Sequence, residues 1–285
     1  SGPQLLKSTG DSPVPLLARK WRVDHKSTAA RCHSMPGTKH QRSYASPIEP
    51  KFRLEMDRRL HKRRFSAITE VRGPSNGSVA GFAGVQVIVV IQSGPNRQPQ
   101  AGRINARNGQ PVLFVADPTR APDDAGIHHA RPDAPSNFCI SWRKLVASYN
   151  ANPRDNPLGL LPAYKLYQYD VFEQLVEQLG KEQVFILSPG WGLIPSSFLT
   201  PDYDITFDSK AEPYRRRKPA DNFDDFCMLP MHCDEDLYFF GDADCLSLFC
   251  KLTEAYGCKR IVFHPKASSP EAPGSEVRPF DADGR

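Results

Sequence analysis

Short apolar runs alternating with stretches of helical spacing set the rhythm of this chain from residue 79 onward. Residues 85–91 form a nearly continuous β-branched run that ends at Gln92-Ser93-Gly94-Pro95-Asn96, a strand running into a turn. Residues 111–116 give a second apolar run, closed by Asp117-Pro118. The stretch 119–135 is rich in Pro, Asp and Ala and is expected to be a surface loop. A helix is predicted from Ser141, with Trp142, Leu145 and Tyr149 on one face. A second is predicted over 162–179, where Tyr164, Tyr167, Val171, Leu175 and Leu179 trace one face and Gly180 supplies the stop. Residues 184–188 then read as a buried parallel strand ending at Ser188-Pro189-Gly190. Residues 237–240 predict another strand, 244–256 a helix closed by Gly257, and 260–263 a last strand leading into His264-Pro265.

Strands separated by helices argue for an α/β fold, a Rossmann-like three-layer sandwich with a mostly parallel sheet. In such sheets ligands bind beyond the carboxyl ends of the strands, which singles out the residues just past each apolar run. Gln92, Ser93 and Asn96 follow the first strand, Ser188 and Trp191 the central one, and His264 the last. Gly190 and Gly192 flank Trp191, allowing a tight turn or a close approach, and the indole could stack on a planar group. Asp202 and Asp204 enclose Tyr203 on a segment opened by Pro201; if it is extended, the two carboxylates project to one side and the tyrosine to the other. Each residue also has an ordinary role open to it: Trp191 as a core aromatic, Asp202 and Asn96 as turn residues, His264 as a strand cap.

Charge changes the picture. The formal net charge of +5 conceals a segment, residues 1–78, with 16 Lys and Arg against 6 Asp and Glu, while residues 79–285 hold 21 against 26. The chain divides accordingly into a basic, partly disordered N-terminal arm over 1–78 and an α/β domain over 79–285. Within the arm, Phe52, Met56, Leu60 and Phe65 could line one side of a basic helix containing Arg58-Arg59 and Lys62-Arg63-Arg64. Clustered Lys and Arg bind phosphate by releasing counterions; the alternative is a solvated tail. With 39% hydrophobic residues and 16 Phe the chain has material for a sizeable core. No apolar run approaches membrane-spanning length and no signal-peptide pattern opens the chain, so a cytoplasmic protein is expected.

The seven cysteines lack CxxC spacing. Cys227, His232 and Cys233 are near enough in sequence to suggest a metal, whereas Cys245 and Cys250 fall in an apolar helical stretch where Cys acts as a small hydrophobe; no metal is assigned. Neither GxGxxG nor GxxxxGK[ST] occurs, so no dinucleotide, nucleotide or other cofactor is expected.

Lys165-Leu166-Tyr167, the stretch from Ile186-Leu187-Ser188-Pro189-Gly190-Trp191 to Ile194, and Pro201-Asp202-Tyr203-Asp204-Ile205-Thr206-Phe207 resemble the core of proteins related to the peroxide-stress YaaA family. They also resemble an accessory domain of archaeal tRNA-guanine transglycosylase relatives. The resemblance spans roughly residues 85–263 and implies a fold related to uracil-DNA glycosylases, together with nucleic-acid binding. In those glycosylases an acidic or amide residue after the first strand positions water, and a His-Pro-Ser type loop lies beside the base. His264-Pro265 is similar to the start of that loop; Gln92-Ser93-Gly94-Pro95-Asn96 contains no Asp, so Asn96 would orient the water, or Asp202 or Asp204 would supply the carboxylate. The paired basic arm suggests similarity to bacterial anti-phage DNA glycosylases that excise glucosylated hydroxymethylcytosine.

That resemblance makes the expected activity excision of a modified base from DNA, leaving an abasic site. Bond breakage builds positive charge on the sugar and negative charge on the base, so Asp204 or Asp202 would stabilise the first. Gln92, Ser93, Ser188, Asn96 or His264 would hydrogen-bond the flipped base, with Trp191 or Tyr203 stacking on it. Lys165 and the run Arg215-Arg216-Arg217-Lys218 would hold phosphates. The expected partner is DNA, modified phage DNA in this reading; no membrane is expected and protein partners stay open. Two alternatives remain: a nucleic-acid-binding stress protein whose pocket has no catalytic role, and an N-glycosidase acting on nucleosides or nucleotides.

Overall fold

The structure is a computed structural model that describes residues 87–153, 155–230, 234–265 and 270–280. The basic arm, its expected helix over 52–68, and residues 85 and 86 of the first expected strand lie outside the described residues.

The apolar run of the first strand becomes β1 (Val87–Gln92), whose alternation sends Val89 and Ile91 into one core and Ile88 and Val90 into another. Next come β2 (Val112–Phe114) and β3 (His128–Ala130), paired in parallel. The expected loop over 119–135 therefore contains a strand. Its His-His-Ala sequence has no apolar run of its own, and the ladder to β2 holds it extended. Helix α1 (Trp142–Ala151) starts where expected because the Ser141 hydroxyl caps the Lys144 amide.

The single helix expected over 162–179 is broken. After β4 (Leu161–Pro162) come α2 (Ala163–Leu166) and α3 (Val171–Leu179), and between them Tyr167 is extended, with φ −100° and ψ 146°. The loop after β1 pairs with this gap: Arg97 bridges Tyr167, Gln98 N donates to Leu166 O, and Gln168 N donates to Asn96 O. Those bonds replace the helical ones, so tertiary pairing overrides the helical pattern. Gly180 does stop α3, at φ +91°.

β5 (Val184–Ser188) is wholly buried and turns back through a tight hairpin into antiparallel β6 (Gly192–Pro195), a strand that the apolar pattern alone does not separate from the site residues. β7 (Leu199–Thr200) pairs with β4, and β8 (Phe226–Cys227) lies beside β6. β9 (Asp236–Phe240), α4 (Ala243–Leu252), β10 (Arg260–Pro265) and β11 (Glu276–Phe280) complete the described chain. Helix α4 ends at Thr253, whose amide and hydroxyl both reach Phe249 O, before Gly257 is reached. His264 lies within β10, in register with Pro279 of β11, so it is a strand residue where a loop residue was expected.

The seven-stranded sheet has the order β11-β10-β9-β1-β5-β6-β8. It is mixed but mostly parallel, an α/β architecture of the Rossmann-like kind with few helices. Residues of α1, α2 and α3 pack on one face with Val89, Ile91 and Ile186, and residues of α4 pack on the other with Val90, Leu187 and Phe239. From central β1 the chain proceeds to β5 on one side and later returns to β9 on the other, a topological switch at the carboxyl end of β1.

The β5–β6 hairpin depends on Gly192, which has φ +86° and would place a Cβ 2.5 Å from Phe226 O. Gly192→Ala is expected to lower stability by about 1–3 kcal/mol from backbone strain alone, with the clash adding to it. Denaturant unfolding checks this; an unchanged midpoint would show that the turn is not constrained as described.

Candidate functional site at the carboxyl edge of the sheet

Ser188 closes β5 and Ser93 follows β1, so the two serines stand side by side at the carboxyl edge, with Ser93 N donating to Leu187 O at 3.0 Å. Their hydroxyls belong to a buried network. Ser188 Oγ donates to Tyr203 Oη at 2.9 Å, Tyr203 Oη lies 2.8 Å from Tyr167 Oη, and Tyr167 bonds the Ser93 side chain. Ser188 Oγ also accepts from Gly190 N and Trp191 N, at 3.3 and 3.2 Å. The guanidinium of Arg97 covers the Tyr203 ring at 3.9 Å and donates to Ile205 O and Pro95 O. Burial pushes the Tyr167 phenol well above its usual 10.0, and the neighbouring Tyr203 adds to the shift.

The opposite side of the same turn is held by charge. Arg143, on α1, donates to Gly190 O and Trp191 O, both at 3.0 Å, while its Nε pairs with Asp133. Arg217 donates to Pro189 O at 2.9 Å and grips Asp225 with two hydrogen bonds. Both arginines are buried, and each therefore requires its aspartate. Three successive carbonyls, 189 to 191, are thus saturated by two buried cations, and two of the turn's amides by Ser188. A Cβ at Gly190 would sit 3.1 Å from the Tyr203 ring, so any larger residue there would press on the tyrosine.

Trp191 is a core residue, 0% exposed, packed edge-on against Phe114 at 5.1 Å and Tyr203 at 6.4 Å. The Asp202-Tyr203-Asp204 segment alternates as expected: Tyr203 is buried, and both carboxylates are partly exposed. The alternation turns the tyrosine towards the serine hydroxyls and the carboxylates away from them. Asp202 receives both Nε and an NH2 of Arg103, and Asp204 receives Nε of Arg215, which also pairs with Glu212. Burial works against the Arg215 charge, but Asp204 and Glu212 more than offset it and raise its pKa above the ordinary value.

The remaining expected site residues are dispersed. Gln92 Oε1 accepts from Asp242 N at 2.6 Å and Cys245 Sγ at 3.1 Å, which closes the gap between β1 and the start of α4. Asn96 donates to Tyr169 Oη at 3.3 Å. His264 is buried within the sheet. Lys165 is exposed, its Nζ 5.6 Å from the Tyr164 ring. In the basic run, Arg215 and Arg217 are ion-paired, Arg216 donates to Ser209 O, and Lys218 is exposed. The structure thus brings Ser93, Ser188 and Tyr203 together and adds Tyr167, Arg97 and Arg143, which no sequence pattern places at the site, and Arg217, expected as a phosphate contact, as a buried clamp on Pro189 O. The extended alternation around Tyr203 is the one signal that separates the tyrosine from the two aspartates. Cys227 is exposed, with Sγ 3.0 Å from Leu252 O, and His232 and Cys233 lie outside the described residues. Among the described residues no group of three His, Cys, Asp or Glu is placed to hold a metal ion, and no helix is long and apolar enough to cross a membrane.

Arg143→Met leaves the largely buried Asp133 without its cation and strips the guanidinium from Gly190 O and Trp191 O, of which only Trp191 O keeps another donor, Phe226 N; a loss of about 3–5 kcal/mol is expected in denaturant unfolding, and a loss within about 0.5 kcal/mol, the range of ordinary surface changes, would contradict the clamp. Because the Tyr167 phenol is held above its usual value, the unfolded chain releases the proton first as pH rises. Stability from this group is complete below pH 10 and declines above it. Tyr167→Phe is expected to flatten that alkaline decline, as read from unfolding midpoints between neutral and strongly alkaline pH.

No family model matches this chain, and neither do any curated proteins or solved structures.

Proposed function

We propose that this chain is a nucleic-acid-binding protein whose α/β domain is a rigid platform and whose residues 1–78 supply most of the phosphate contacts. One observation carries the reading: cationic charge is segregated along the sequence. Residues 1–78 hold 16 Lys and Arg against 6 Asp and Glu, whereas the domain's own cluster over 215–218 spends two arginines on ion pairs and one on a carbonyl. Lys165 and Lys218 remain exposed to assist. The hydroxyls at the carboxyl edge satisfy one another, and the carboxylates lie on the other side of the Tyr203 segment, which suits a structural edge better than a reaction centre. DNA is the partner this reading names, modified phage DNA in its narrower form.

A specific observation favours a second reading, the excision of a modified base by a uracil-DNA-glycosylase-like fold. Asp204 and Asp202, 23% and 18% exposed, each keep one carboxylate oxygen without a hydrogen bond among the described residues. Asp204 would face the positive charge that develops on the sugar as the base departs with the bond electrons, and water would then add at the same carbon.

The full chain is expected to bind DNA with a steep salt dependence. Removal of residues 1–78 is expected to weaken binding and flatten that slope, by about 0.9 for every phosphate that is no longer neutralised. An equal slope for the truncated protein would contradict the binding proposal. Mass spectrometry of bases released from hypermodified and unmodified DNA separates the two readings: the platform reading predicts no release. Release would support the second reading, in which Asp204→Asn, measured in single turnover beside thermal unfolding, should slow the chemical step by roughly 10²-fold or more with folding retained.

A further inference from the structure

Away from the carboxyl edge, at the start of β2 and β3, a cavity of about 330 Å3 is lined by Ala106, Arg107, Asn108, His128 and Asn137. Its size is at the small end for ligand pockets, which run from about 300 to 1,000 Å3. Arg107, His128 and Asn137 have no side-chain hydrogen bond or ion pair among the described residues, although the domain's other arginines are largely committed; His128 has a ring contact to Trp142 at 6.3 Å. Asn108, in contrast, is engaged on both sides of its amide by Gln110.

Beside Asn137 stand the two exposed large apolar side chains found among the described residues, Phe138 at 43% and Ile140 at 37%. The turn that carries them is braced: Ser136 N donates to Ile140 O at 2.7 Å, Phe138 N to Ser136 Oγ, Cys139 N to Ser136 O, and Cys139 takes φ +61°. An aromatic ring exposed on a rigid turn loses little further freedom when a planar group stacks on it.

We propose that this cavity and the Phe138 turn form a subsite for one nucleotide of a single-stranded nucleic acid. The base stacks on Phe138 and presents its edge to the amide of Asn137 and the imidazole of His128, while Arg107 pairs with the adjoining phosphate. Ala106 and Asn108 form the wall against which the nucleotide closes. The inference rests on the nucleic-acid-binding reading and names a contact that residues 1–78 do not supply.

The test uses the full chain with a mixed-sequence DNA strand and with the same strand carrying abasic sites throughout, at moderately high salt so that long-range phosphate attraction is screened. Phe138→Ala is expected to weaken binding to the normal strand by about 5-fold or more, the lower end of base–aromatic stacking, and to leave the abasic strand unchanged. Arg107→Gln should weaken both and lower the salt slope by about 0.7. Arg107 is exposed and Phe138 is 43% exposed, so both variants should remain folded, which thermal unfolding checks. Equal affinity of wild type and Phe138→Ala for the normal strand overturns the subsite while leaving the binding proposal intact. Failure of the wild-type chain to bind either strand or duplex DNA overturns both.

Discussion

Two buried guanidinium groups facing three consecutive carbonyls set the shape of this domain's carboxyl edge. Residues 189, 190 and 191 are buried, and Arg217 and Arg143 donate to all three of their peptide oxygens. An unpaired buried polar group costs about 1–3 kcal/mol, so the turn would be untenable without them. The arginines in turn oblige Asp225 and Asp133 to be where they are. This chain of requirements ties β5, β6, α1 and the 217–225 segment into one unit, although they are distant in sequence.

Once the turn is fixed, its amides and the Ser188 hydroxyl face the other way and collect Tyr203, Tyr167 and Ser93. Tyr203 can reach them because its segment is extended and runs beside β2. The same geometry sends Asp202 and Asp204 outward to Arg103 and Arg215. Hydroxyls and carboxylates that sit close together in the sequence, between 188 and 204, therefore end on opposite sides of a single strand-like segment. The hydroxyls of the edge are spent on one another and on holding the fold, while Arg97 Nε and Trp191 Nε1 are buried there without a hydrogen-bond partner.

Where the sequence was legible, a local pattern coincided with what the tertiary structure required. β1 and β5 are central strands buried on both faces, so an unbroken apolar run identifies them, and Ser141 caps α1 by a purely local bond. The helix over 162–179 failed because the loop after β1 supplies backbone partners to Tyr167 that no spacing rule contains. β3 and β11 carry little apolar pattern and owe their extension to a neighbouring strand. At the site, the rule that ligand positions follow parallel strands brought Ser93 and Ser188 together correctly. The period of two placed Tyr203 opposite the aspartates, yet which side faces inward is decided by packing against Phe114 and Trp191. Arg143 was illegible, and Arg217 was expected as a phosphate contact, for one reason: an arginine in a sequence looks solvated until its carboxylate partner is brought to it in three dimensions.

The central claim, that the 188–192 turn is a lock and does not open as part of a pocket, is tested most directly by native-state hydrogen exchange at the amides of Gly190, Trp191 and Phe226, which donate to Ser188 Oγ and Trp191 O. The account predicts that these amides exchange only through global unfolding, with the same free energy as the central residues of β1 and β5. Exchange through a local opening several kcal/mol cheaper than global unfolding would contradict it and would mark the carboxyl edge as a gate.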